Sequence, residues 1–168
     1  MKGGAALINE YIEAHGRRIY GLCLTLTKDR HEADDLYQDT WLKVLKSIKS
    51  YDPSLPFEPW LTAICVNTYR SSLRRLMRSP IIDFSDAEEK QRLMDAAPAP
   101  ESDSHAEIRR AIDMLPEKLR LSVILYYFRG FDIEETAKAL SIPIGTVKSR
   151  LNKARKLLKE VLKDEEYL

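Results

Sequence analysis

Cysteine occurs twice in these 168 residues, histidine three times and glycine six times. Two thiols, Cys23 and Cys65, cannot make a disulfide framework or a multi-cysteine metal site. Both sit in apolar helical surroundings, where a buried free thiol is expected over a disulfide. The histidines have no ligand-like spacing, so no metal is expected. With only Gly130 and Gly145 after Gly21, no glycine-rich loop can cradle a phosphate. No apolar run reaches membrane-spanning length and no signal-peptide pattern opens the chain, which points to a soluble, cytoplasmic protein. Catalytic sets are missing as well. Asp34-Asp35 and Glu134-Glu135 are adjacent on helices, so their carboxylates diverge, and no Ser/His/Asp arrangement occurs. The expectation is a protein that is not an enzyme, with no catalytic residue, no cofactor and no small-molecule substrate.

What is present is charge, and it is sorted. The formal net charge is only +1. Residues 1–78 hold 12 basic and 9 acidic side chains, residues 79–106 hold 2 and 7, and residues 107–168 hold 13 and 10. Two mildly basic blocks thus flank an acidic one, a pattern that suggests separate binding faces.

The pattern of apolar residues is helical throughout, and strand-like alternation is absent. Helices are expected at about 5–27, 31–50 and 58–77. The run Asp52-Pro53-Ser54-Leu55-Pro56 breaks the chain between the last two, because proline fixes φ and disfavours helix just before itself. Residues 79–103, with Asp86-Ala87-Glu88-Glu89 and Ala96-Ala97-Pro98-Ala99-Pro100, hold little that could form a core and read as a linker, with a helical turn allowed at 88–94. Further helices are expected at about 105–114, 116–128, 133–140 and 144–162. Pro116 suits a first helical position, Gly130 a helix stop, and Asp132 with Glu135 a capping box. The fold class is all-α: two small helical domains, 1–78 and 104–168, joined by a flexible acidic linker.

Three constellations carry chemistry. In the first, the helix Ile133–Leu140 leads through Ser141-Ile142-Pro143 into a second helix. The apolar stripe of that helix is Ile144, Val147, Leu151, Ala154, Leu158 and Val161. Between Lys148 and Lys159 lie six basic residues and no acidic one. A helix buried on one side and cationic on the others, following a tight turn, is the helix-turn-helix arrangement that enters a major groove. Gly145, Ser149, Asn152 and Lys156 point away from the stripe, with Lys148 and Lys153 beside them. Ser and Asn can bond base edges, and Lys can reach guanine or phosphate. Arg150 and Arg155 lie nearer the buried edge, where phosphates or neighbouring carboxylates are their expected partners. The bland alternative is a solvated lysine-rich helix, which the capped helix, Ala137 and the tight break argue against.

In the second, Asn67, Arg70, Arg74 and Arg78 share one helix face with Arg75 beside them. This suits a phosphate backbone, with Asn67 able to read a base. Trp60 is expected in the core rather than stacked on a base. In the third, Ala33, Tyr37, Trp41, Val44 and Ile48 form a buried stripe, and the opposite face shows Asp35, Gln38, Asp39, Leu42 and Lys46. A leucine exposed among carboxylates suggests a protein partner that is basic and partly apolar.

These residues resemble a known family along nearly the whole chain. Asp34-Asp35-Leu36-Tyr37-Gln38-Asp39-Thr40-Trp41 resembles the polymerase-binding segment of bacterial RNA polymerase sigma factors of the sigma-70 family, in the extracytoplasmic function (ECF) subgroup. Phe57-Glu58-Pro59-Trp60-Leu61-Thr62-Ala63-Ile64-Cys65-Val66-Asn67 resembles that family's promoter-melting segment. Leu115-Pro116-Glu117-Lys118-Leu119-Arg120 and Ile144-Gly145-Thr146-Val147-Lys148-Ser149-Arg150-Leu151-Asn152-Lys153-Ala154-Arg155 resemble its terminal domain.

The resemblance implies a promoter-specificity subunit. Its second helix (Asp35, Gln38, Asp39, Leu42, Lys46) docks on the clamp helices of the largest subunit of core RNA polymerase. The third helix and the loop before it (Asn67, Arg70, Arg74, Arg75, Trp60) open the minus-ten element and hold a base flipped out of the stack, whose unstacking the protein pocket must offset. The terminal helix (Thr146, Lys148, Ser149, Arg150, Asn152, Lys153) reads the minus-thirty-five element as duplex. The acidic linker lies in the polymerase's basic RNA path, an anti-sigma factor is a further partner, and a stress or envelope signal is the expected trigger. This chain departs from the family at Pro59, where a small or basic residue is common, and at Ser141, which stands where helix-turn-helix breaks usually have glycine. The competing reading is a stand-alone helix-turn-helix regulator, which leaves the amino-terminal block without a role.

Overall fold

The apolar stripes of the described residues fold as helices, and Gly130 ends one of them. The computed structural model describes residues 4–78 and 104–165; the expected linker and its turn at 88–94 lie outside these. By their contacts the described residues fall into two compact units, one built on the amino-terminal helices and one on the carboxy-terminal helices.

The amino-terminal helices are α1 (Gly4–Thr27), α2 (Arg30–Ser47) and α3 (Phe57–Arg78). Lys28, in the left-handed region at φ 60°, turns the chain out of α1. The Asp29 carboxylate then accepts the Glu32 N–H at 2.9 Å and caps α2. The expected run of helix to Ser50 ends instead in a 3-10 turn, Ile48–Ser50. Helix α1 packs along α2. It meets α3 at three successive points: Tyr11 stacked on Phe57 at 3.9 Å, Arg18 paired to Glu58 at 2.9 Å, and the Cys23 and Cys65 sulfurs 3.7 Å apart. Both residue numbers rise together along these contacts, so α1 and α3 run in the same sense. Neither cysteine is in a disulfide, and both are wholly buried. Ile19, Leu22, Val44, Leu61 and Val66 fill the interior, each contributing roughly 1.5–3 kcal/mol of hydrophobic burial.

The carboxy-terminal helices are α4 (Ser104–Asp113), α5 (Glu117–Val123), α6 (Ile133–Leu140) and α7 (Ile144–Glu165). Pro116 caps α5 rather than occupying its first turn: its backbone is extended (φ −51°, ψ 140°), and its carbonyl accepts the first helical N–H groups. The expected single helix to Phe128 is also corrected. Its last part, Ile124–Phe128, is a π turn in which the Arg129 N–H reaches back five residues to the Ile124 carbonyl at 3.0 Å. Gly130, at φ 68°, then lets the Phe131 N–H close on the Leu125 carbonyl at 3.1 Å and stops the helix.

Helix α6 opens on the expected capping box. The Asp132 carboxylate accepts the Glu135 N–H at 2.8 Å, and the Glu135 carboxylate accepts the Asp132 N–H at 3.0 Å. Ile112, Leu119, Val123, Ala137, Val147 and Leu151 belong to one buried cluster, with Leu158 half-buried against it. Ile144 does not join that stripe. It begins α7 and remains 44% exposed, because the first turn of the helix has yet to reach the core. Among the described residues no helix is long and apolar enough to cross a membrane.

Candidate nucleic-acid interface

Helix α7 is delivered by a tight turn. Ser141 adopts φ 54°, the left-handed conformation that the usual glycine takes without strain. The Ile142 N–H closes on the Ala137 carbonyl at 3.0 Å, and Pro143 presents its carbonyl to the Thr146 and Val147 N–H groups at 3.0 and 3.2 Å. With Val147, Leu151 and Ala154 buried, Lys148, Ser149, Asn152, Lys153, Lys156 and Lys159 are all exposed on the remaining sides. Thr146 and Arg150 are half-buried at the edge of this face. The Ser149 hydroxyl donates to the Thr146 carbonyl at 3.0 Å within its own helix.

Arg155, expected nearer the buried edge, is exposed. Its Nε donates to the Tyr127 hydroxyl at 2.7 Å and one terminal nitrogen donates to the Asn152 Oδ1 at 3.0 Å. The guanidinium carbon also lies 5.7 Å from the Tyr127 ring centroid, within cation–π range. The same unit carries an open groove of about 590 Å³, lined by Ile108, Ile112, Val123, Tyr127, Phe128 and Leu158 among others.

On α3, Asn67, Arg74, Arg75 and Arg78 are exposed and Arg70 is half-buried, so the expected basic row is brought to one side. Ser71 links it: its hydroxyl donates to the Asn67 carbonyl at 2.8 Å and receives Arg74 Nη2 at 3.2 Å. Trp60 is half-buried, not enclosed. Its ring packs 4.9 Å from Tyr51 and 5.4 Å from Phe57. This aromatic floor continues through Phe57 to Tyr11 and His15.

The loop before α3 is braced from within. Asp52 accepts the Ser54 N–H at 2.9 Å, the Leu55 N–H donates to the Asp52 carbonyl at 3.1 Å, and the Tyr51 hydroxyl donates to the Leu55 carbonyl. Hydrogen bonds from the Ser54 backbone and hydroxyl hold the Asp52 carboxyl below its ordinary range, while burial raises Tyr51 above its own. A loop preceding an arginine face, with aromatic rings beneath it, can receive an unstacked base.

On α2, Asp35, Gln38, Asp39, Leu42 and Lys46 are all exposed. The sequence reading missed Leu45, which is 49% exposed beside Leu42 at 54%. Their three-residue spacing was the available signal. Asp34 is set apart from this face, accepting the Tyr20 hydroxyl at 2.7 Å. Among the described residues no group of histidine, cysteine or carboxylate side chains is placed to hold a metal.

Two family models match the chain: Sigma-70 region 2 over residues 11–79 and Sigma-70 region 4 over residues 105–158. The chain is 33% identical to the ECF RNA polymerase sigma factor SigE of Mycolicibacterium smegmatis, over 92% of its own length and 61% of that relative's. It is also 33% identical to the ECF RNA polymerase sigma factor EcfG of Rhodopseudomonas palustris, over 86% of this chain and 78% of the relative. In fold it is similar to the sigma factor RpoE of Bartonella quintana, solved in complex with the anti-sigma factor NepR. The TM-score is 0.69 at 24% identity, covering 92% of this chain and 96% of that one.

Proposed function

The chain belongs to the ECF subgroup of the sigma-70 family of RNA polymerase sigma factors, and from that premise we propose that it binds core RNA polymerase and directs promoter-specific initiation, without catalysis of its own and in the cytoplasm. One observation carries the reading: each of the two matched regions presents an exposed cationic helix face, on α3 and on α7. Residues 1–78 are the polymerase-binding and minus-ten domain, 79–103 the linker, and 104–168 the minus-thirty-five domain.

The mechanism is differential binding. Leu42 and Leu45, exposed on the helix that also presents the carboxylates of Asp35 and Asp39, dock on the clamp helices of the largest subunit, where Gln38 and Lys46 complete the contact. Lys148, Ser149, Asn152 and Lys153 read duplex from the major groove, with Thr146 and Arg150 positioning the helix on phosphates. Asn67, Arg70, Arg74 and Arg75 hold the opened strand, with Trp60 and the Asp52–Pro56 loop beside the displaced base. An anti-sigma factor that covers α2 would keep the chain from polymerase. A stress or envelope signal would then act by removing it.

Run-off transcription tests the reading. Purified core polymerase should initiate from a cognate promoter only when this chain is added. Operator-like binding by the chain alone, with no promoted transcript on any template carrying its selected sequence, would favour the stand-alone regulator.

A further inference from the structure

Arg155 stands next to a residue assigned to base reading, and both its hydrogen bonds are internal to the protein. A guanidinium has donors and no acceptor. The atom of Asn152 that faces it at 3.0 Å must therefore be the carbonyl oxygen, as the geometry has it. The amide nitrogen is consequently turned away from Arg155. Arg155 is itself held from the other side by the Tyr127 hydroxyl at 2.7 Å, with the ring 5.7 Å beneath its charge. Tyr127 comes from the π turn Ile124–Phe128, whose extra residue per turn alters the direction of the side chains that follow it. Tyr127, Arg155 and Asn152 thus form a chain of contacts that begins in the body of the domain and ends on the exposed face of α7.

An asparagine free to rotate on a recognition helix pairs best with adenine, giving a donor to N7 and accepting from N6–H with its oxygen. Here the oxygen is already engaged by a cation. We propose that Arg155 is a positioning residue that fixes the Asn152 amide with its NH₂ toward the DNA, so that Asn152 favours guanine, whose N7 and O6 are both acceptors, or thymine O4, over adenine, whose N6–H₂ would set a donor against a donor beside its single acceptor N7. The inference rests on the reading that α7 enters the major groove. It adds which way one of the reading side chains is set and by what. Lys148 and Lys153 also favour acceptors, so the whole exposed face becomes one of donors.

The test is selection of bound duplexes from a library randomised across the upstream element. It uses holoenzyme containing the full chain, or its Asn152→Ala, Arg155→Met or Tyr127→Phe variant. Asn152→Ala should flatten the preference at one base pair, where the unsubstituted chain selects guanine or thymine. Tyr127→Phe keeps every charge and removes one hydroxyl. It should relax the same base pair by roughly fivefold, admitting adenine, while the salt dependence of binding stays as it was. Arg155→Met should relax that base pair further. If the base pair that responds to Asn152→Ala ignores both Tyr127→Phe and Arg155→Met, or is adenine from the start, the positioning role is overturned and the groove reading survives. If no base pair responds to Asn152→Ala, then Asn152 reads no base and the inference falls. Should Lys148→Ala and Lys153→Ala also leave every preference unchanged, the assignment of α7 to the groove falls with it.

Discussion

Cys23 and Cys65 are separated by 42 positions in the sequence, and their sulfur atoms lie 3.7 Å apart in the interior. This contact joins α1 to α3, the helix that carries Asn67 and the arginine row, so the stability of the first unit and the placement of its cationic face share one core.

Both thiols should therefore be silent toward an aromatic disulfide reagent in native buffer. They should titrate together once the chain is unfolded, because access requires opening of the α1–α3 seam. Rapid reaction of either thiol in native buffer would contradict the packing. Cys65→Ala removes a buried sulfur and should destabilise by on the order of 1 kcal/mol, read as a lower denaturation midpoint.

Leu42→Asp and Leu45→Asp should each weaken capture of core polymerase by about 2 kcal/mol or more, roughly thirtyfold. Their exposure of 54% and 49% leaves the fold little to lose, so unfolding free energy should change by no more than about 0.5 kcal/mol. Pull-down by immobilised polymerase, alongside thermal melts, separates the two effects. Full capture by both variants would remove α2 from the interface.

Lys153→Ala should weaken binding to the upstream duplex across all sequences. It should make the plot of log affinity against log salt shallower by about 0.9, the release of one counterion. An unchanged slope would take Lys153 off the phosphates.

Ser141 gives a prediction with opposite signs. A side chain in the left-handed region costs about 1–2 kcal/mol, part of which glycine regains in the unfolded chain. Ser141→Gly should stabilise by roughly 0.5 kcal/mol and Ser141→Val should destabilise by about 1 kcal/mol or more. Calorimetry of the full chain reads both, and a loss of stability in Ser141→Gly would mean the hydroxyl holds the turn.

The reciprocal bonds of Asp132 and Glu135, at 2.8 and 3.0 Å, satisfy two otherwise unpaired donors at the start of α6. Asp132→Ala should cost about 1 kcal/mol. Glu135→Ala added to it should cost less than the two single losses combined, since each removes part of the same box. Strict additivity would show the two bonds to be independent.

The helices were legible in the sequence because their causes are local. Apolar spacing along α2 and α7, the Asp132–Glu135 box and the Gly130 stop act within a few residues of one another. The structure moves the ends by up to five positions: Ile48–Ser50 tightens into a 3-10 turn, Ile124–Phe128 widens into a π turn, and Pro116 withdraws from α5 to cap it. The cationic faces on α3 and α7 were legible for the same reason, since burying one stripe of a helix exposes the opposite one. Leu45 was overlooked because a leucine three residues from Leu42 is compatible with burial or exposure until the width of the packed face is known.

Chain chemistry alone therefore determined the helical class, the sorted charge, and the polar faces that α2, α3 and α7 turn to solvent, because periodicity and capping depend on neighbours three and four residues away. Tertiary structure decided what no local rule encodes. It brought Cys23 to Cys65, set the π turn that carries Tyr127, and gave Arg155 a phenol and an amide as partners. Such contacts depend on how rigid helices dock, and docking is set by the shapes of whole faces packed against one another, which the order of residues along any one helix leaves open.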